Sequence, residues 1–411
     1  MRILIAGQTY APARNGQAVF TTNLAEGLAR QGHQVTAIVP SPDLRWRTGA
    51  ENGVQIEWLT SASLANFNPN AAASIPGVID LATEKIFTRF RPEIIHIQDH
   101  YMLGAAALAA AWRRKLCTVG TNHFMPENVT PYFPIPKPLK ASTNWLLWQW
   151  MLSTYNRLDW VTGPSRTAVK IMRQNGLHAP AQAISCGVDT QRFRRLDIDR
   201  NALRQRHNLA PEKTIFSYVG RIDNEKRLDL LIRAFHSLQR SDIQLAITGR
   251  GAVLPMLVNL VKQLGMEAQV RFLGYLPDEE LPSLLNSMDV FVMPSEAELL
   301  SIASLEAMAC GLPVLLAHSQ ALPELVTDGC NGYLFKPGDV ASLAHAITLL
   351  ADHPEQLARL GTSSIQKVQS HSLENTIRTY ERLYENLLTK PVGQSQKIDR
   401  MPLGQSLFKR Q

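Results

Sequence analysis

The sequence predicts an α/β fold made of two doubly wound parallel-sheet domains and a last helix. Three observations carry this. Short apolar runs ending in glycine or polar residues alternate with helical stretches, the pattern of a parallel sheet covered on both faces. The pattern runs through the first half of the chain and restarts in the second. The 411 residues exceed one ordinary domain of about 150. A hydrophobic content of 45% with 19% charged residues describes a folded, soluble protein with sizeable cores.

In chain order, RILIAG (2–7) is a buried strand ending on Gly7, and FTTNLAEGLARQG (20–32) is a helix closed by Gly32, a natural C-cap. QVTAIVP (34–40), EIIHIQ (93–98), CTVGTNH (117–123) and WVTGPS (160–165) continue the first set of strands. Ligands bind at the carboxyl ends of such strands, which points to Gly16, Asp99, His100, Asn122 and His123. The second set of strands is TIFSYVG, IQLAITG, VRFLG, DVFVMPS, PVLLA and GYLF. Between them lie the helical stretches LDLLIRAFHSL, AVLPMLVNLVKQLG, DEELPSLLNS and SLEAMACG. The polar stretch 186–212 marks the boundary. The expected domains are 1–185 and 186–370, facing a central cleft. An amphipathic helix over 371–390 returns to the first domain, and 391–411 is a flexible tail.

No apolar run reaches the roughly 18 residues of a membrane span, and the N-terminal run is too short for a signal peptide. Cys117, Cys186, Cys310 and Cys330 are scattered, as expected of reduced thiols in a cytoplasmic protein. The net charge of +7 lies wholly in residues 1–185, with 17 basic against 10 acidic residues, while the remainder balances at 25 each. That half either meets something acidic, such as a phospholipid surface, an anionic acceptor or nucleic acid, or has an ordinary surface with a modest excess.

Two loops carry chemistry. GRIDNEKRLD (220–229) follows one strand and precedes a helix, so Arg221 and Lys226 stand beside a helix N-terminus. Backbone N–H groups with two cations suit a diphosphate; the plainer reading is a loop with two solvated charges. PSEAELLSIASLEAMACG (294–311) repeats the architecture with Glu298 before a helix and Glu306 inside it. Carboxylates accept vicinal hydroxyls strongly, and one on each side of a diphosphate describes a nucleotide sugar.

These segments resemble the retaining glycosyltransferases of family 4, which have the GT-B fold of two facing Rossmann-like domains. The resemblance rests on the Gly16 loop, TNH (121–123), GRIDNEKR, the Glu298/Glu306 pair with LEAMACGLPV, and LPELVTDGCNGYLFKPGD, and it covers roughly residues 2–390. It implies that Arg221 and Lys226 neutralise the diphosphate, Glu298 holds the transferred sugar and Glu306 the ribose. It further implies backbone N–H groups from Leu299, Leu300 and Ser301, a close approach at Gly16, His123 facing the donor sugar, and Tyr275 and Leu276 against the base. A histidine past a strand is otherwise more often structural. Asp99 and His100 are candidates for touching the acceptor, with an ordinary strand-end loop as the alternative. The co-substrate is a UDP- or GDP-sugar, with no cofactor and no metal. Asp197-Ile198-Asp199 matches the letters of a DxD metal motif but lies in the polar stretch with no strand before it. Three features depart from the family: Leu299-Leu300-Ser301 replaces Gly-Phe-Gly after the first glutamate, Asn15-Gly16 stands in place of the paired glycines of the first loop, and Gln320-Ala321 replaces a glycine pair.

PYFPIPKPLKASTNWLLWQWMLSTY (131–155) leads a Pro-rich basic loop into a helix with Trp145, Trp148 and Trp150. An all-round apolar helix is usually buried; tryptophans beside Lys137 and Lys140 also suit an anionic membrane. The expected reaction moves a hexose to an acceptor hydroxyl, on a membrane lipid such as diacylglycerol or phosphatidylinositol. A protein doing this would be cytoplasmic or peripheral at the inner face of the membrane. The competing readings are a soluble sugar or polysaccharide acceptor, and a non-catalytic nucleotide-sugar-binding protein. Nucleic acid is not expected. A nicotinamide dehydrogenase is disfavoured because no G-x-G-x-x-G follows the first strand.

Overall fold

The computed structural model describes residues 1–13, 15–41, 45–63, 72–75, 77–128, 130 and 136–389. The expected tail over 391–411 lies outside them, as does most of the Pro-rich stretch 131–135. The chain divides into two compact units, Met1–Ile184 with the chain from Ile377 onward, and Ser185–Thr376.

The first unit contains β1 (Arg2–Ala6), β2 (Gln34–Pro40), β3 (Arg47–Glu51), β4 (Val54–Leu59), β5 (Ser61–Ser63), β6 (Ala72–Ser74), β7 (Ile94–Ile97), β8 (Cys117–Thr121), β9 (Trp160–Gly163) and β10 (Ala181–Ala183). Its main sheet runs β10-β9-β8-β7-β1-β2-β4-β3, and β5 and β6 pair separately. Within the main sheet all pairings are parallel except β3 against β4, and β5 pairs β6 antiparallel. The central strands are apolar on both faces because helices cover both. β3, RTGAE, lies at the antiparallel edge and is mostly exposed, so no apolar run announces it. The order reverses between β1 and β7, placing a ligand crevice past Ala6 and Ile97.

The last helix, Leu373–Thr389, supplies two fully buried tyrosines to this unit. Tyr384 Oη lies 2.7 Å from His96 Nδ1. Tyr380 Oη lies 3.0 Å from both Thr121 Oγ1 and Thr162 Oγ1. Thr121 Oγ1 also lies 2.7 Å from His96 Nε2. Each such bond contributes about 1 kcal/mol net, and an orphaned partner would be worse than none. Gly27 makes the close approach possible, since a Cβ there would meet Ile377 Cδ1 at 2.0 Å.

The second unit holds β11 (Thr214–Val219), β12 (Ile243–Thr248), β13 (Val270–Gly274), β14 (Val290–Met293), β15 (Val314–Ala317) and β16 (Gly332–Phe335). These are the six strands expected there, and they form an all-parallel sheet in the order β13-β12-β11-β14-β15-β16. The reversal lies between β11 and β14, so the crevice opens where Arg221 and Glu298 follow their strands. The polar stretch 186–212 is structured within this unit. Arg204, on the helix Arg200–Arg206, is buried and donates to Asp289 Oδ2 at 2.7 Å and to the Ser287 carbonyl at 2.7 Å. An ion pair replaces the apolar periodicity that a sequence reading looks for.

Candidate active site

In the second unit, backbone packed on backbone positions the Arg221 loop. A Cβ at Gly249 would stand 1.8 Å from the Gly220 carbonyl, and Gly249 has φ +140°, so only glycine fits. Ile222 N donates to the Arg250 carbonyl at 2.8 Å, and Tyr218 Oη donates to the Arg221 carbonyl at 2.6 Å. The Arg221 guanidinium pairs with Asp223 and, at 2.8 Å, with Glu225. Those carboxylates aim it without burying it.

The turn Asn224–Lys226 is joined to the segment after β14 through the Glu225 carbonyl, which accepts from Glu296 N at 3.2 Å and from Ser295 Oγ at 3.2 Å. This brings Lys226 and Glu298 into a direct ion pair whose side chains are only 13% and 12% exposed. Two residues expected to hold different parts of one ligand thus stand in direct contact.

Ser301 caps the helix Ile302–Ala309, accepting from Ser304 N at 3.2 Å. Its hydroxyl is committed to that cap. The backbone N–H groups of Leu299, Leu300 and Ser301 donate to no acceptor among the described residues. Leu299 is buried, and Leu300 packs on the core cluster of the unit. Glu306 is half-buried, and among the described residues its carboxylate receives no hydrogen bond. Burial pushes its pKa up to about 7; nearby Arg192 opposes the shift and Asp278 adds to it. An uncompensated carboxylate of this kind is ready to accept hydroxyl donors.

Tyr275 is exposed, with the Arg250 guanidinium stacked 4.7 Å from its ring centroid, and Leu276 packs partly on the core. Arg250 follows β12 as Arg221 follows β11, so a cationic, flat surface adjoins the charged loop. Arg192 and Arg250 were not singled out from the sequence. Arg192 lies in the stretch taken for a boundary, and Arg250 would have needed the β11–β12 pairing. Asp199, from the DxD letters, caps the helix Arg200–Arg206 by accepting from Ala202 N at 3.0 Å.

In the first unit, the strand ends bring Asp99, His100 and His123 close together. Asp99 is buried and accepts from Gln8 N at 2.6 Å, Gln17 Nε2 at 2.9 Å and Tyr101 N at 3.2 Å. Burial nevertheless raises its pKa to about 6. Gln17 is thus a positioning residue that the sequence did not single out. Gly16 opens the helix Gly16–Arg30, with Asn15 as its cap. His123 Nε2 lies 3.1 Å from Gln98 Oε1, and its ring centroid lies 4.9 Å from that of Phe20. Burial lowers the pKa of His123 to about 3 and that of His100 to about 4, so both are neutral. Among the described residues neither ring nitrogen of His100 has a partner; Tyr101, Phe124, Trp150 and Tyr155 surround it.

The helix Lys140–Tyr155 has one buried apolar face and one exposed apolar face. Trp148, Met151, Leu152 and Tyr155 are buried, and Trp148 Nε1 donates to Glu127 Oε1 at 2.9 Å. Trp145, Leu146 and Trp150 are 59%, 59% and 48% exposed. The Trp150 ring stands edge-on to His100 at 4.5 Å, linking the exposed face to the strand-end cluster. Among the described residues, no helix is long and apolar enough to cross a membrane, and no cluster of His, Cys, Asp and Glu could hold a metal.

Comparison with known proteins agrees with this geometry. Residues 199–367 match the family model of glycosyl transferases group 1, and residues 14–192 match that of glycosyltransferase family 4. The chain is 31% identical over 291 residues to the sulfoquinovosyl transferase SQD2 of Arabidopsis thaliana, covering 69% of this chain and 54%, about half, of that protein. It is 22% identical over 406 residues to the alpha-monoglucosyldiacylglycerol synthase of Acholeplasma laidlawii, covering 95% of this chain and 98% of that one. The crystal structure of Anabaena HepE in complex with UDP aligns with a TM-score of 0.74 at 19% identity, over 94% of this chain and 100% of that one. With both halves matched and the two parallel sheets in place, the chain belongs to the group 1 glycosyltransferases of GT-B fold.

Proposed function

We propose that the protein transfers a hexose from a UDP- or GDP-sugar to a hydroxyl of a membrane lipid, with retention at the anomeric carbon and without a metal. The observation that carries the reading is the arrangement at the β11/β14 switch point. There the paired Lys226 and Glu298, the unbonded Glu306 carboxylate and the free N–H groups of Leu299–Ser301 meet, with Arg221 on the adjoining loop. Arg221, Lys226 and those N–H groups take the diphosphate, Glu306 the ribose, and Glu298 the sugar hydroxyls. Tyr275 and Leu276 meet the base. Gly16 is assigned by the same reading to the phosphate and His123 to the donor sugar; as a neutral imidazole, His123 hydrogen-bonds without adding charge.

The anomeric carbon–phosphate oxygen bond breaks and an anomeric carbon–acceptor oxygen bond forms on the same face. The acceptor hydroxyl proton passes to the departing phosphate oxygen. Arg221 and Lys226 stabilise the charge developing on that phosphate, the kind of interaction that dominates transfer catalysis. No side-chain nucleophile is required, in keeping with a site built of cations, acceptors and backbone donors.

The lipid half of the reading is supported by the exposed Trp145, Leu146 and Trp150 face, by its contact with His100 beside Asp99, and by the basic excess of residues 1–185. The protein would then sit peripherally at the inner face of an anionic membrane. A full-length relative named for diacylglycerol chemistry supports the same acceptor class. The test is a panel of UDP- and GDP-sugars incubated with a membrane lipid extract, products being read by mass spectrometry, alongside flotation with anionic and neutral vesicles. A hexosylated lipid and binding to the anionic vesicles are expected. Transfer only to soluble sugars would overturn the lipid assignment, and no transfer from any donor would overturn the enzyme assignment.

A further inference from the structure

Among the described residues, seven that are not glycine have positive φ: Asn52, Arg91, Lys115, Asn208, Arg227, Gln239 and Gln320. Six have a local reason. Asn52 turns the β3–β4 hairpin. Arg91, Gln239 and Arg227 end helical segments as their C-caps, and Lys115 and Asn208 lie one residue past such caps. Helix ends and hairpins are where left-handed residues belong.

Gln320 is the exception. It lies past the carboxyl end of β15, ahead of the turn Leu322–Leu325, with φ +47°. The left-handed region suits glycine, and any side chain there adds steric strain. Packing does not offset that strain, because Gln320 is exposed. Its amide has no hydrogen-bond partner among the described residues. The neighbours behave differently: Ala321 and Leu322 are buried.

The loop is fastened beside the site. Ala321 N donates to the Glu298 carbonyl at 3.1 Å, and Ser319 Oγ donates to the Glu296 carbonyl at 2.9 Å. Gln320 is therefore held beside the backbone of Glu298, the residue proposed for the sugar, on the strand-end rim where ligands bind in such sheets. Strain kept at such a rim, with no packing to maintain it, points to function.

We propose that Gln320 is a specificity-determining residue, whose amide reads a hydroxyl of the transferred hexose. The inference rests on the donor reading given above. An amide presents both a donor and an acceptor, matching a neutral hydroxyl, which both gives and takes a hydrogen bond. Glu298 accepts from one part of the sugar, Leu299 and Leu300 close the pocket with apolar bulk, and Gln320 distinguishes epimers. A site built to bond a hydroxyl discriminates well against the isomer that places it elsewhere, because the polar group is then left unpaired.

The test uses the full chain and measures affinities by calorimetry for UDP, GDP, UDP-glucose, UDP-galactose, GDP-mannose and GDP-glucose. The wild type is expected to separate the two epimers of its preferred nucleotide by about tenfold or more. Gln320→Gly should melt at the same or a higher temperature, bind the bare nucleoside diphosphate within about twofold of wild type, and separate the epimers by less than about threefold. Gln320→Asn, a shorter amide, should fall between the two. Unchanged epimer discrimination in Gln320→Gly, with nucleotide binding intact, would overturn the inference while leaving the donor reading standing. Failure of the wild type to bind any nucleoside diphosphate or nucleotide sugar would overturn both.

Discussion

The two sets of strand ends solve different problems with the same topology. Past β11 and β14 stand Arg221, Lys226, Glu298 and Glu306, a dense group of charges from the part of the chain, residues 186–411, that carries no net charge. Past β1, β7 and β8 stand His100, His123 and a thrice-bonded Asp99, a nearly neutral group from the half that carries all of the excess positive charge. Bulk charge therefore says little about the chemistry of a crevice. What matters is whether burial leaves a group charged. In the second unit Lys226 and Glu298 form a mostly buried ion pair. In the first, burial drives the histidines neutral, which suits a neutral hydroxyl acceptor approaching an apolar surface.

The sharpest way to break this contrast is to remove charge from the second unit. Glu298→Gln should lower kcat/KM by about 100- to 1,000-fold with the circular dichroism spectrum unchanged, whereas wild-type turnover would sink the assignment. Arg221→Ala should lose a similar factor.

A second comparison sets the two faces of the helix Lys140–Tyr155 against each other. Trp148→Ala should destabilise the fold by about 3–5 kcal/mol in a denaturant titration, since it empties a buried site and orphans Glu127. Trp145→Ala with Trp150→Ala should shift stability by less than about 1 kcal/mol yet weaken anionic vesicle binding by about tenfold or more. Equal effects on both readouts would mean that the faces are not functionally distinct.

Glu306 offers a pH test. Its folded pKa is raised above the ordinary 4.5 to about 7, so the folded state holds a proton that the unfolded state releases. Stability is therefore lost as pH rises from about 4.5 through 7, by about 2–3 kcal/mol in all. Glu306→Gln should stabilise the protein by about 2 kcal/mol near pH 8 and by much less near pH 5, as read from melting curves. A gain independent of pH would show that the carboxylate is already compensated.

The smallest effect is expected at His100. His100→Phe replaces a buried, unbonded imidazole with an apolar ring and should change stability by less than about 1 kcal/mol. If His100 meets the acceptor, the KM for lipid rises while affinity for the donor stays the same.

The second unit was the more legible in the sequence. Its six strands are continuous apolar runs, and its charged residues sit in short loops of fixed spacing, so Arg221, Lys226, Glu298 and Glu306 could be named before their geometry was known. What escaped was contributed across the sheet. Arg192 reaches Glu306 from a stretch that looked like a boundary, and Arg250 stacks on Tyr275 from a neighbouring strand end. In the first unit, β3, β4 and β10 did not stand out; β3 and β10 are short edge strands with few buried side chains. The tryptophan helix left two readings open because periodicity cannot say which neighbours arrive; one of its faces is buried and the other exposed.

The bonding of Tyr380 and Tyr384 to His96, Thr121 and Thr162 bears on how this protein can be dissected. A fragment ending near residue 184 would retain every strand of its sheet and lose the hydroxyls that close its buried polar chain. Its interior would leave His96 Nδ1 without its partner and take one partner each from Thr121 and Thr162. Such a fragment should aggregate on expression and recover when a synthetic peptide spanning 373–389 is supplied in trans. The last helix is thus a separable lid on that polar interior, and complementation by the peptide would measure how much of the folding information in the first half is written at the far end of the chain.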